Sequence, residues 1–408
     1  SKVLGISPPA GNFFIGLAGI CESKSQQNKV GLMAAVYFHY PFCRQACHYC
    51  NFHFSTQLNH QDDVLEAFEG EILLRKNEIP TALESVYFGG GSPSLLNPES
   101  IERLLHFIEK FTPINNEMEV TVEVNPDDVS ELYLKQLRSI GVNRISMGLQ
   151  SFSDLELRMM NRVHDAGQGI RALEWTAEYF DNFSVDMIYG IPSSDLSSWQ
   201  QNLEQLLTYD PPHLSCYALT VEPKTVLAHR VKNEEVIMLD DDTVKSQYDS
   251  MVHLLEQLGY ENYEFSNFAK EGYYSVNNSN YWNGKPYMGI GPAAHSFDGK
   301  RKRSWNVSNN IKYIKSIREE RLPAEHETLR ENEAFNEYIM TSLRTSAGVS
   351  IDRINQSFGI HYSSYLEKQA EKHIIDQRLY WNGDVLKVSK KARFLTDGIA
   401  SDLFLLKN

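Results

Sequence analysis

Cys43, Cys47 and Cys50 fall within eight residues of the stretch HYPFCRQACHYCNF (39–52). Thiolates hold soft metals and iron–sulfur clusters, and a spacing of three residues then two lets one loop wrap a single compact cluster. Zinc is the competing ion. A structural zinc site takes four ligands, and His39, His48 or His53 could supply the fourth. Zinc ligands usually come from two separated segments, however, and no second Cys/His segment follows. The flanking Arg44, Gln45 and His48 are poor company for three unliganded core thiols. Three ligands on a four-iron cube leave one iron open, and an open iron can chelate the amine and carboxylate of an amino acid. Cys216, inside an apolar run, reads as a core thiol, and Cys21 as a bystander.

The elements that must position this loop follow from hydrophobic periodicity. Strand-like runs at 35–40, 85–88, 118–124, 144–150 and 183–188 alternate with helical patterns at 63–79, 98–111, 130–140, 167–180 and 197–209, and a sixth strand follows at 213–219. Six successive strands with intervening helices predict a parallel sheet. The block spans about 190 residues against ~250 for a full eight-unit barrel, so an incomplete (βα)6 barrel or an open doubly wound sheet is expected. The strand ends read CRQAC, GGGSPS, EVNPDD, LQSF and DMIYGIP. Polar and glycine-rich carboxyl ends of parallel strands are where such folds place chemistry.

Bulk properties narrow the partners. The 408 residues carry a net charge of −14, which argues against a nucleic-acid backbone as ligand. Five cysteines are too few for a disulfide framework and point to a reducing, cytoplasmic setting. No run reaches the ~20 apolar residues of a membrane span. Residues 1–32 read as a disordered or mis-called leader before Met33, and 33–225 as the barrel. Residues 226–329 read as an extension with an acidic loop (233–242) and Tyr/Asn/Gly-rich binding loops, and 330–408 as a winged-helix-like α+β domain. Residues 331–408 have ten basic and ten acidic residues, so the segment lacks the basic face of a DNA reader.

Cys-x3-Cys-x-Tyr-Cys after a first strand resembles the signature of radical S-adenosylmethionine (SAM) proteins. Over about 33–408 the chain resembles the branch holding oxygen-independent coproporphyrinogen III oxidases and the related haem chaperones. The resemblance implies a [4Fe–4S] cluster on Cys43, Cys47 and Cys50, with SAM on the open iron. It implies SAM contacts at Tyr37, Gly91 and Ser92 of GGGSPS, Glu123, Gln150, Arg162 and Asp186, with Tyr49 as a packing or stacking aromatic. The oxidases carry a fourth cysteine where this chain has Phe52, and the chaperones an aromatic, so the chaperone role is expected. That role implies haem as ligand and haem-accepting proteins as partners, membrane-bound respiratory enzymes among them. The chaperones' His-Asn-x-x-Tyr-Trp haem motif reads Asn277-Asn278-Ser279-Asn280-Tyr281-Trp282 here. A carboxamide is a poor axial ligand, which leaves His295 as a substitute and Tyr281 and Trp282 as stacking surfaces.

Overall fold

The chain is described from a computed structural model covering residues 35–79, 82–115 and 117–406. The expected leader, with Cys21 and Met33, lies outside them. Six parallel strands form the centre: β1 (Ala35–Tyr40), β2 (Ser85–Gly90), β3 (Glu119–Val124), β4 (Arg144–Gln150), β5 (Phe183–Tyr189) and β6 (His213–Ala218). The sheet continues past both edges through β7 (Glu261–Glu264), β8 (Asn267–Ala269), β9 (Tyr287–Ile290), β10 (His295–Phe297), β11 (Lys302–Asn306) and β12 (Ala324–Thr328). Its order, β12-β11-β10-β9-β1-β2-β3-β4-β5-β6-β8-β7, is open, as an incomplete α/β barrel requires.

Strand alternation explains what faces where. Phe38, Phe88, Val122, Ile145, Met147, Val185 and Met187 point outward and are buried against covering helices. Phe38 stacks on Phe88 at 4.8 Å and leans on Phe68 of the helix Gln61–Leu74. The alternate residues line the lumen, and many of these are polar: Tyr37, Tyr87, Glu123, Ser146, Asp186 and Ser215. A helix-filled exterior and a polar interior mean the barrel's inside is a site rather than a core.

Helix starts follow local chemistry. Asn97 caps Pro98–Glu109, Ser130 caps Glu131–Ser139, and Asp165 and Asp195 form capping boxes for Ala166–Tyr179 and Leu196–Leu207. The expected acidic loop 233–242 is shorter than its sequence suggests. Asp240 accepts from Thr243 N at 2.8 Å, so Asp241 and Asp242 already form the first turn of Asp241–Gln257.

The β9–β11 extension is fastened by a buried carboxylate. Glu71 accepts from Arg75 Nη1 (3.0 Å), Asn306 Nδ2 (2.8 and 3.0 Å), Gly291 N (2.9 Å) and Tyr313 OH (2.7 Å). Arg75 in turn donates to Gly289 O and Ser296 Oγ. After Leu343 the chain builds helices Ile351–Ser357 and Ile360–Ile375 and the hairpin Leu379–Asn382/Val385–Val388, turning at Gly383. Phe335, Ile339, Ile354, Leu366 and Leu386 pack into a hydrophobic cluster of their own there.

Candidate metal and cofactor centre

The cysteine loop leaves the carboxyl end of β1 and closes on itself where Cys43 N meets Ser55 O (3.0 Å) and Ser55 N meets Pro41 O (2.9 Å). Neighbouring strand ends clasp it. Arg44 Nε donates to Asp128 (2.7 Å), His48 N to Met160 O (3.0 Å), Gln45 Nε2 to Asn161 O (2.9 Å), and Asn161 Nδ2 to Ala46 O (2.7 Å). The three thiols are free of disulfides and half-buried. Burial pushes Cys43 up to about 11 and Cys50 up to about 12. Among the described residues no three His, Cys, Asp or Glu side chains gather tightly enough for a single ion. A cluster asks for less convergence, because each sulfur meets a different iron, so the donor set fits a polynuclear centre better than zinc.

The lumen groups meet this loop from the strand ends. Gly91 N donates to Tyr40 O (2.8 Å) and Ser92 N to Phe42 O (2.7 Å), so GGGSPS lies against the start of the cysteine loop. A Cβ on Gly91 would sit 2.5 Å from Phe42 O. Gly91→Ala is therefore expected to push the two loops apart, costing roughly 1–3 kcal/mol in the thermal melt and weakening any ligand held between them. Arg162 ties three elements together: Nη2 reaches Asn125 Oδ1 and Gly148 O (2.7 Å each), and Nη1 reaches Cys47 Sγ at 3.5 Å. Its buried Nε has no partner among the described residues, which marks a place for a further acceptor. Tyr49 hydrogen-bonds Arg162 and packs on the small cluster of Leu157, Met160 and Ile188.

Deeper in the lumen Tyr87 OH donates to Glu123 (2.8 Å), Gly90 N approaches its other oxygen (3.2 Å), and Tyr37 stacks on Tyr87 at 5.9 Å. Asp186 takes hydrogen bonds from Ser146 and Ser215. Gln150 ends β4 at φ +72°, where the β4–β5 register slips. A non-glycine residue held there stores roughly 1–3 kcal/mol of strain, a cost met at functional sites. Burial above all pushes Glu123 up to about 7 and Asp186 up to about 6. A carboxyl raised in this way contributes stability below its unfolded pKa of about 4, and that contribution is lost as pH rises through 6 to 7. A cationic guest reverses the preference, so the affinity of any cationic ligand held in the lumen is expected to increase between pH 6 and 8 in equilibrium dialysis.

All eight expected SAM residues and the three cysteines thus gather at one end of the barrel or in its lumen. Asn125 was missed: its Nδ2 donates to Ser92 Oγ (2.7 Å) while its Oδ1 holds Arg162, and its place in EVNP was the only signal. Tyr87 was missed as well, although it shares a strand face with Gly89.

A family model, the Radical SAM superfamily, matches residues 37–206. The chain is 34% identical to the heme chaperone HemW of Bacillus subtilis over 354 residues, 84% of this chain and 93% of that one. It is 32% identical to HemW of Mycobacterium tuberculosis over 376 residues, 90% and 94% of the two chains. This chain is a radical SAM protein of the HemW family. Its fold is that of coproporphyrinogen III oxidase (HemN) from Escherichia coli, with a TM-score of 0.78 at 22% identity over 91% of this chain and 90% of that one.

Within this HemW-family chain the expected haem residues are split between the two ends of the barrel, and the helix with Asn277 lies away from the cysteine loop. Asn277 lies in the helix Val276–Trp282, which Glu119 caps through Val276 N and Asn277 N (2.9 Å each), while Ser85 Oγ reaches Asn277 Oδ1 at 3.4 Å. Glu119 and Ser85 begin β3 and β2, so the helix closes the barrel end opposite the cysteines. Asn277 is 2% exposed and Tyr281 1%, the latter edge-on to Tyr287 in a cluster with Ala35 and Phe297. Trp282 lies under the Arg344 guanidinium, 5.8 Å from the ring. His295, exposed at the start of β10, lies at the same end of the sheet as the cysteine loop, close enough to His39 for its charge to be felt there.

Proposed function

We propose that the chain carries haem to acceptor proteins, membrane-bound respiratory enzymes among them, while holding SAM on a [4Fe–4S] cluster bound by Cys43, Cys47 and Cys50. In the enzymatic reading below, such a cluster, when bound and reduced, would supply the electron that cleaves SAM. In the carrier reading Arg162 and Gln150 border the open corner, Gly91 and Ser92 receive the amino-acid end of SAM by close backbone approach, and Asp186 and Glu123 face its cationic and ribose portions. Residues 33–225 hold the cluster and SAM, 226–329 meet haem, and 330–408 form a packing module. The setting is the cytoplasm, and among the described residues no helix is long and apolar enough to cross a membrane.

The observation that carries the choice of carrier over oxidase is Phe52. It occupies the fourth-cysteine position of the oxidases, is 44% exposed, and turns only its backbone N–H towards Cys50. The proteins of the HemW family matched here are named heme chaperones, which supports the same reading. A second reading, an oxygen-independent coproporphyrinogen III oxidase or another radical SAM enzyme, draws on the ionisable lumen pair Glu123 and Asp186. Anaerobic protein, given haem in one experiment and coproporphyrinogen III with SAM and reductant in another, separates the two. A Soret band without decarboxylation is expected. Decarboxylation to protoporphyrinogen IX would move the chain to the oxidases, and neither result would leave another radical SAM substrate.

A further inference from the structure

An iron porphyrin held through its metal needs an accessible axial ligand, a neutral imidazole being the commonest, with thiolate, thioether and phenolate as alternatives. The segment aligned with the family's haem motif offers none, because Asn277 and Tyr281 are sealed into the closed end of the barrel. Of the other histidines near the barrel, His39 and His213 have both ring nitrogens engaged, His48 and His53 each have one engaged, and His164 is sealed inside with no hydrogen bond to its Nδ1 among the described residues. His39 Nε2 meets His53 O (2.9 Å) and its Nδ1 meets Tyr37 OH (3.3 Å); His213 is held between Ser184 Oγ (2.8 Å) and Tyr263 OH (2.7 Å); His164 is buried on Leu149 O.

His295 differs in each respect. Ser296 points to Arg75 on the helix-covered face, so strand alternation turns His295 and Phe297 to the other, inner face of the sheet. Trp305 lies directly across from His295 on β11, the rings stacked with centroids 6.0 Å apart and 30° between planes. Arg303, across from Phe297, adds a guanidinium on the same face, where it also meets Glu337 and Glu327. The backbone of His295 presses so close to β9 that a Cβ at Gly289 would lie 2.1 Å from His295 O, which fixes the position of the imidazole's root. No hydrogen bond among the described residues ties either ring nitrogen. Surrounding protein, then the Arg303 charge, hold its pKa below the ordinary imidazole value.

We propose that His295 is the axial ligand of haem iron in this chain, with Trp305 stacked beside it on the inner face of β10 and β11. This assignment rests on the haem-carrier reading and replaces the missing histidine at position 277 by one on a neighbouring strand of the same sheet extension.

The test uses the full chain, purified anaerobically and titrated with haemin, with absorption and electron paramagnetic resonance spectra as readouts. Wild type is expected to give a histidine-ligated spectrum. His295→Ala is expected to lose it, with affinity falling by roughly tenfold or more, since even outer-shell changes cost ~10–100-fold. Free imidazole should restore the spectrum of His295→Ala, which a misfolded variant would not allow. Trp305→Ala should keep the ligation spectrum and weaken affinity. A His295→Ala spectrum and affinity equal to wild type would overturn the assignment while leaving haem carriage intact. A wild type that gives no spectrum at all would instead remove the carrier reading itself.

Discussion

Cys43→Ala, Cys47→Ala and Cys50→Ala proteins, purified without oxygen, are each expected to emerge colourless and without iron or sulfide, whereas wild type emerges brown. The effect should be nearly complete because, among the described residues, the loop supplies all the thiols near the barrel mouth. Cys216, the other described cysteine, is buried in β6 and pushed up by burial beyond any reactive range. The fold should survive, since the loop is clasped by Arg44–Asp128, Gln45–Asn161 and backbone bonds that do not involve sulfur. SAM affinity should fall together with the iron. Retention of the full iron and sulfide content by any of the three variants would refute the cluster assignment, and a single bound zinc in wild type would do so as well.

Glu71→Ala is expected to be the most damaging single change to stability. The carboxylate is fully buried and accepts from four separate groups. Its removal leaves the buried Arg75 guanidinium with Glu78, at the half-exposed rim, as its one remaining carboxylate among the described residues, leaves Asn306 Nδ2 with Gly291 O alone, and takes the carboxylate acceptor from Tyr313 OH and Gly291 N–H. Breaking a buried ion pair in this way costs ~3–5 kcal/mol, a fall in Tm of roughly 10 °C. Glu71→Gln keeps the shape and part of the hydrogen bonding and should lose less. Because the same network seats β9 to β11, the Ala variant should also blur the His295 ligation spectrum. A melt within about 1 °C of wild type would show that the extension is held by its apolar contacts instead.

The central strands were legible because they are written in local code. β1 and β4 have the bounds their apolar runs suggested, and the polar strand ends marked the cysteine loop and the lumen rim before any coordinates. The sheet extension was not legible. β9 pairs with β1, so Tyr287 lies beside Ala35 although some 250 residues separate them, and no periodicity window spans that distance. β10 has only three residues, too few for an alternating pattern to stand out. The helix expected over 63–79 runs Gln61–Leu74 and gives way to turns at Arg75, whose side chain reaches inward to Ser296 and Gly289 O, a tertiary contact invisible in the helix's own sequence. For the same reason Tyr281 and Trp282 looked like a stacking surface, when Tyr281 is packing for the barrel floor.

That floor has a consequence for traffic. Among the described residues, Asn277, Tyr281 and the Glu119-capped helix stopper the end of the lumen away from the cysteine rim, so that from the rim inward it is a blind well. Guests in a blind well queue: the molecule seated deepest must arrive before, and depart after, anything that later roofs the entrance.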